Sequence, residues 1–216
     1  MLGPKKRAPL IHARLGELYP HASCSLDWRT PYELLVATML SAQCTDVRVN
    51  LISPALFERF PDAAAAAAVA AEEVEPYVKS TGFFRNKAKN IVASARLLLE
   101  RHGGQVPATM AELLQLPGVA RKTANVVLAH AYGINAGVTV DTHVTRLAGR
   151  LRLTRHSDAI RIERDLMPLL PQAEWERFSL RLIYHGRAVC PARTPRCAEC
   201  SLVELCPSAQ VKSLIN

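Results

Sequence analysis

Four cysteines crowd into residues 190–206 as Cys190, Cys197, Cys200 and Cys206, separated by six, two and five residues. Clustering of this kind, in a chain expected to be cytosolic, argues for metal ligation over disulfides. Structural zinc sites usually bring two closely spaced pairs, and here only Cys197 and Cys200 are so spaced; the run also differs from the usual ferredoxin patterns. Spacing alone leaves zinc and an iron–sulfur cluster on equal terms, with free thiols a distant third. Between the first two cysteines, Arg193 and Arg196 ride on a tether that ligation would fix, which suits a phosphate-binding loop; a solvated charged surface is the plain alternative. Cys24 and Cys44 stand apart and read as small apolar groups in the core.

A second constellation lies at residues 113–131, where an apolar helix end, the break Pro117-Gly118 and a new apolar helix follow within a few residues. Pro117 stops the first helix and Gly118 supplies a permissive backbone, so the unpaired N–H groups opening the second helix point outward and can hold a phosphate. Such a hairpin grips a nucleic-acid backbone without reading its sequence; an ordinary antiparallel helix pair is the competing reading. Lys122 falls in the first turn of the second helix, where the macrodipole disfavours a cation. A free lysine spends about 4.6 kcal/mol to be neutral at pH 7, so this placement makes the amine available for Schiff-base chemistry. The simpler role is a phosphate contact.

Further on, the apolar stretch Val138-Thr139-Val140 breaks at Asp141, and Thr142-His143-Val144 opens another helix. Asp141 is a good N-cap. The same carboxylate, kept ionised by helix N–H groups, can also face the Lys122 amine and stabilise positive charge on a sugar.

These residues need helices to hold them, and the chain supplies little else. Of its 216 residues, 49% are hydrophobic and 21% charged, which excludes wholesale disorder and coiled-coil or collagen-like composition. A domain of this size buries roughly 70% of its unfolded surface and needs no disulfide scaffold. Aromatics are only 6%, alanine is abundant, and apolar residues recur at helical spacing, so the fold class is all-α. Thr30-Pro31-Tyr32-Glu33 and Thr109-Met110-Ala111-Glu112 are capping boxes, and Ser157-Asp158 opens a third helix. Other helices are expected over 10–19, 46–60, 63–71, 72–79, 86–102 and 172–188, with Pro54 and Pro76 each kinking or splitting its helix unless it lies in a first turn. A boundary is expected near residues 133–137, where glycines and Asn135 interrupt two helical stretches.

The longest apolar run, residues 63–71, is far short of the about 20 residues a bilayer span needs. His12, Arg14 and Glu17 interrupt any signal-peptide core, so the expected location is the cytosol, in a bacterium the cytosol or nucleoid. With 27 Lys and Arg against 19 Asp and Glu, the net charge of +8 points to a polyanionic partner.

Taken in order, Leu116-Pro117-Gly118-Val119-Ala120-Arg121-Lys122-Thr123-Ala124, Val140-Asp141-Thr142-His143 and the four cysteines resemble the endonuclease III family of DNA glycosylases, as do Ser41-Ala42-Gln43-Cys44-Thr45-Asp46 and Thr81-Gly82-Phe83-Phe84-Arg85-Asn86-Lys87-Ala88. The resemblance spans about residues 31–206. It implies a two-lobed helix-hairpin-helix glycosylase fold: a six-helix domain over 22–134 carrying the hairpin at about 109–131, and a discontinuous domain of 1–21 plus 135–216 around one 4Fe-4S cluster held by the cysteines of 190–206. Duplex DNA would lie between the two. The implied activity is bifunctional: removal of oxidised or ring-saturated pyrimidines, then cleavage of the abasic site by β-elimination. Lys122 would attack C1′ of the flipped nucleotide and Asp141 would balance the developing charge. Gly118, Ala120 and Arg121 would contact the backbone, Gln43 would enter the space left by the extruded base, Phe83 would wedge near the opposite strand, and Asp46 and His143 would lie close to the lesion. Read without the resemblance, Gln43 is a helix-end cap and Phe83 a core aromatic. The protein is expected to act as a monomer on damaged or abasic duplex DNA, away from membranes.

Three departures from the family pattern bear on this. Ala120 stands where glycine is usual, Phe83 where leucine is frequent, and the 133–138 loop is slightly longer. Two rival functions remain on the sequence: the related adenine-excising glycosylase, which lacks the catalytic lysine, and a non-catalytic DNA-binding or redox-sensing protein that keeps the fold and cluster.

Overall fold

Side-chain caps set most of the helix starts. In a computed structural model of the chain, which describes residues 2–210, eleven α-helices follow in order among the described residues: α1 (Pro4–Leu18), α2 (Pro31–Leu40), α3 (Asp46–Arg59), α4 (Ala63–Ala67), α5 (Ala71–Val78), α6 (Phe84–His102), α7 (Met110–Leu113), α8 (Arg121–Tyr132), α9 (Thr142–Arg150), α10 (Ala159–Leu166) and α11 (Trp175–Ala188). No strand occurs among these residues. Met1 and residues 211–216, which the sequence-based division gives to the second domain, lie outside the described part. Thr30, Thr45, Asp62, Thr109, Asp141 and Asp158 each accept a hydrogen bond from the backbone N–H three residues on, satisfying a donor that has no partner inside the helix. No described helix is long and apolar enough to cross a membrane.

Several elements differ from expectation, each for a local reason. Helix α1 starts at Pro4, six residues before the expected 10, because a proline is pre-organised for a first turn. The alanine run does not form one helix: Arg96 donates to the carbonyls of Ala67 and Val69 at 3.2 and 3.0 Å, taking acceptors that a continuous helix needs, and α5 starts afresh at Ala71. Pro54 and Pro76 neither split nor end α3 and α5. Both prolines are exposed, and the residues four before them, Asn50 and Glu72, are reached by solvent, so water can serve the carbonyls they orphan. The expected helix over 172–188 opens with a single 3₁₀ turn, Gln172–Glu174, before α11.

The chain divides into two units, Cys24–Ala136 and the residues up to Ser23 together with those from Gly137 onward. In the first, α2 is buried from Tyr32 to Leu40, the pattern of a helix surrounded by others; it packs on α3, α6 and α8, while α4 and α5 pack on α6. In the second, Ala8, Ile11 and Leu15 of α1 join Val144 and Leu147 of α9, Ile162 and Leu166 of α10, and Phe178 and Leu182 of α11 in one core. Each large side chain buried there contributes about 1.5–3 kcal/mol of transfer free energy. Arg7 of α1, also buried, donates to the carbonyls of Leu151 and Arg152 at 2.8 and 3.0 Å.

Candidate active site and cysteine-lined cavity

The hairpin is fastened before it turns. Leu113 and Leu116 are buried, and the Pro117 carbonyl accepts a hydrogen bond from the Ser94 hydroxyl of α6 at 2.7 Å. Gly118 then adopts φ +78°, and a Cβ there would stand 2.8 Å from the Asn90 side chain, so both backbone conformation and space require glycine. Ala120 has φ −93° and caps α8 with no side-chain acceptor; nothing in its conformation demands glycine. The opening N–H groups of α8 are consequently left without a side-chain cap. Lys122 is exposed in that first turn, beside the half-buried Arg121.

Asp141 and His143 belong to the other unit. The segment leading to them is pinned by buried Thr139, whose hydroxyl bonds to the Glu176 carboxylate at 2.9 Å. Asp141 Oδ1 accepts the Val144 N–H at 2.8 Å, so the carboxylate caps α9 and is oriented by it. One turn on, Arg146 donates to His143 Nδ1 and the Gly186 carbonyl, each at 3.0 Å, and to the Cys190 carbonyl at 3.1 Å. A Cβ on Gly186 would meet the Arg146 guanidinium and the His143 ring at 3.0 Å. Burial, with Arg146 and Arg187 adding to it against the opposing carboxylate of Asp141, holds the His143 pKa below its ordinary value.

Back in the first unit, Gln43 and Phe83 share an unusual backbone. They have φ +54° and +48° without being glycine, a left-handed conformation that costs roughly 1–2 kcal/mol per residue. Phe83 is 65% exposed at the head of α6 and so is no core aromatic. Gln43 caps neither neighbouring helix, since Ser41 and Thr45 do. Both line a hollow of about 200 Å³ together with Lys87, Asn90 and Gly118. Asp46, in the first turn of α3, accepts a bond from the Ser25 hydroxyl at 3.1 Å.

The four cysteines of residues 190–206 line a single cavity of about 320 Å³. Among the described residues no three His, Cys, Asp or Glu side chains converge closely enough to hold one ion; the thiols ring a space rather than meet at a point, which suits a polynuclear group better than a single zinc with its sulfurs at about 2.3 Å. Burial, and the charges of the other cysteines, push the Cys200 and Cys206 thiols up, so holding them as thiolates calls for a cationic group among them. Arg150 clamps the start of the loop, reaching Cys190 Sγ at 3.0 Å and the carbonyls of Pro191 and Ala192 at 2.8 and 2.7 Å. His185, buried and pushed down to about 4 by that burial, lies 3.2 Å from the Tyr19 hydroxyl and 3.4 Å from Cys200 Sγ. The two loop arginines part company. Arg196 folds back onto the Ala188 carbonyl and lies 3.8 Å from the Glu199 carboxylate, whereas Arg193 is exposed. Cys24 and Cys44 pack partly buried against the first unit's core.

Arg150, His185 and Lys87 escaped the sequence reading. An arginine and a histidine on amphipathic helices read as solvated or core groups, and the one usable signal was the four-residue spacing of Arg146 and Arg150, which brings both guanidinium groups to Cys190.

Residues 36–172 match the family model of HhH-GPD superfamily base excision DNA repair proteins. An Endonuclease III of a Synechocystis species is 64% identical over 97% of this chain and 96% of its own. A solved non-covalent Endonuclease III–DNA complex superposes with a TM-score of 0.91 at 41% identity, covering 97% of both chains. A trapped Endonuclease III–DNA covalent intermediate gives the same TM-score at 40% identity over 97% of this chain and 98% of that one. With coverage and identity of this order, the chain belongs to the endonuclease III family within the HhH-GPD superfamily of base excision DNA repair proteins.

Proposed function

We propose that this protein excises oxidised or ring-saturated pyrimidines from duplex DNA through a Schiff base on Lys122, then cleaves the strand at the abasic site. The observation that carries the reading is an exposed lysine in the first turn of an uncapped helix, in a chain similar to one captured as a covalent protein–DNA intermediate. The hairpin backbone at Gly118, Ala120 and Arg121 holds phosphate at the uncapped N–H groups. Gln43 fills the space of the flipped nucleotide, Phe83 separates the opposite strand, and Asp46 and His143 contact the lesion. The Lys122 amine attacks C1′ and the base departs with the C1′–N bond electrons, while the Asp141 carboxylate stabilises the positive charge that builds on the sugar. The amine gives up a proton, and the C1′–O4′ bond of the resulting aminal opens with O4′ taking up a proton. The imine so formed acidifies the 2′ proton, whose loss expels the 3′ phosphate and breaks the C3′–O bond.

The four cysteines hold one 4Fe-4S cluster in this reading, supported by the size of the cavity they line and by their failure to converge on one point. When bound, the cluster supplies iron–thiolate cross-links that fix the 190–206 loop. Arg150 and His185 add hydrogen bonds to two of the sulfurs, the partners that tune such groups, and Arg193 is left to meet DNA phosphate. The protein works as a cytosolic monomer.

Borohydride trapping on duplex DNA carrying an oxidised pyrimidine tests the chemistry. The parent forms a covalent adduct; in Lys122→Gln trapping falls by at least about a thousandfold while DNA binding persists. Binding without trapping in the parent would instead favour a non-catalytic DNA-binding protein. For the cluster, about four irons per chain and visible absorption are expected, and stoichiometric colourless zinc would overturn it.

A further inference from the structure

Lys87 sits in the first turn of α6 and is only 7% exposed. Its ammonium donates to the carbonyl of Leu40 at 2.9 Å and to that of Thr81 at 2.8 Å. Among the described residues it has no carboxylate partner; the two carbonyls are its hydrogen-bond acceptors, and the Cys44 thiol lies close enough to act on its charge. These two acceptors are special. Leu40 is the last residue of α2 and Thr81 the last of the 3₁₀ turn Lys79–Thr81, places where carbonyls lack helical partners and the dipole favours a cation. Gln43 follows Leu40 by three residues and Phe83 follows Thr81 by two, and both are left-handed. The compact, three-donor ammonium satisfies two carbonyls from separate segments. Lys87 also lines the hollow that Gln43, Phe83 and Gly118 share.

We propose that Lys87 is a positioning residue that ties the ends of α2 and of the 79–81 turn together, so that Gln43 and Phe83 enter the duplex as one rigid wedge. The proposal rests on the reading of Gln43 and Phe83 as the inserting groups. It explains how two strained residues on separate loops keep a fixed spacing: the strain is held in place by charge-assisted hydrogen bonds buried directly behind each loop. Lys87 does not touch the sugar, and its effect belongs to strand opening and not to the attack by Lys122.

The full-length, cluster-loaded protein is assayed on two substrates: single-turnover base release from a duplex with an oxidised pyrimidine, and strand cleavage at an abasic site in single-stranded DNA, where no opposite strand has to be held apart. Lys87→Met is expected to slow duplex base release by roughly tenfold or more while changing single-strand cleavage by less than about twofold. In a Gln43→Ala, Phe83→Ala background, which is itself slow on duplex, Lys87→Met should add less than about twofold. Lys87→Gln, neutral and too short to reach both carbonyls, takes its place if the methionine variant does not fold. Equal losses on both substrates, an undiminished loss in the wedge-less background, or no loss at all would each overturn the proposal. If the Gln43→Ala, Phe83→Ala protein releases base at the parental rate, the assignment of the wedge fails first and the role of Lys87 goes with it.

Discussion

Helix α8 is capped by Ala120, which offers its N–H groups no side-chain acceptor, and carries a cation in its first turn, whereas α9 is capped by Asp141, whose carboxylate closes onto the Val144 N–H. A missing cap forgoes roughly 1 kcal/mol of helix stability, and a cation near the positive end of a helix costs a further few tenths to about 1 kcal/mol. The α8 start is thus locally unfavourable in two ways, and the α9 start favourable. The difference is intelligible if α8 saves its N–H groups for a ligand anion and its lysine for reaction, while α9 uses its own side chain to hold a negative charge in place. Among the described residues six helices are capped by Thr or Asp, while α1, α5, α6 and α11 share the bare start of α8, so the contrast with α9 rests on what each start holds and not on the missing cap alone.

The sharpest way to break this contrast separates the cap from the charge at position 141. Asparagine caps as well as aspartate, so Asp141→Asn should leave thermal stability within roughly 0.5 kcal/mol while base release falls about a hundredfold or more. Asp141→Ala should lose the same activity and about 1 kcal/mol of stability besides. Parental rates in the asparagine variant would reduce Asp141 to a cap. Next, Ala120→Asp gives α8 the start that α9 has. Denaturant unfolding should show it more stable by about 1 kcal/mol, and titration with abasic duplex should show binding at least about tenfold weaker, because the new carboxylate occupies and repels the phosphate position. A variant both more stable and equally tight would mean that those N–H groups serve no anion.

A smaller effect is expected at the cysteine loop. Arg193→Ala should lower the slope of log affinity against log salt by about 1; Arg196→Ala should change it less, since its guanidinium is engaged by Ala188 and Glu199. Identical slope changes would erase the distinction. Smallest is the titration of His143. Burial and two neighbouring arginines lower its pKa, so its ring is neutral in the folded protein at neutral pH. The stability linked to it is complete above the unfolded value of about 6.5 and is lost as pH falls towards the folded value. Ring-proton NMR should find the midpoint below 6.5; a midpoint above that would contradict the account of the α9 start.

Local rules made part of this molecule legible before any coordinates. Thr30, Thr109 and Asp158 announce their helices because a cap is a hydrogen bond across three residues, and the structure makes each one. The Pro117-Gly118 break and the crowding of the cysteines are equally local. What stayed hidden depends on residues far apart in the chain. Gln43 and Phe83 give no compositional hint of a left-handed backbone, and the lysine behind them bonds to a carbonyl 47 residues away. The alanine run reads as one helix until Arg96, nearly thirty residues on, removes its acceptors. Arg150 looks like surface charge and instead grips the loop of Cys190 from 40 residues away.

The tie between Arg7 and the carbonyls of Leu151 and Arg152 has a consequence for how the protein is made. Helix α1 leaves the ribosome ahead of its partners, and Arg7 waits for an acceptor 144 residues further along. At ordinary rates of synthesis that delay is on the order of ten seconds. Meanwhile Ala8, Ile11 and Leu15 have no core to enter, because their partners Val144, Phe178 and Leu182 do not yet exist. The unit Cys24–Ala136 is contiguous in sequence and emerges whole within that interval. In the nascent chain α1 is thus an amphipathic helix without its partners, open to chaperones until residues 144–182 have been made.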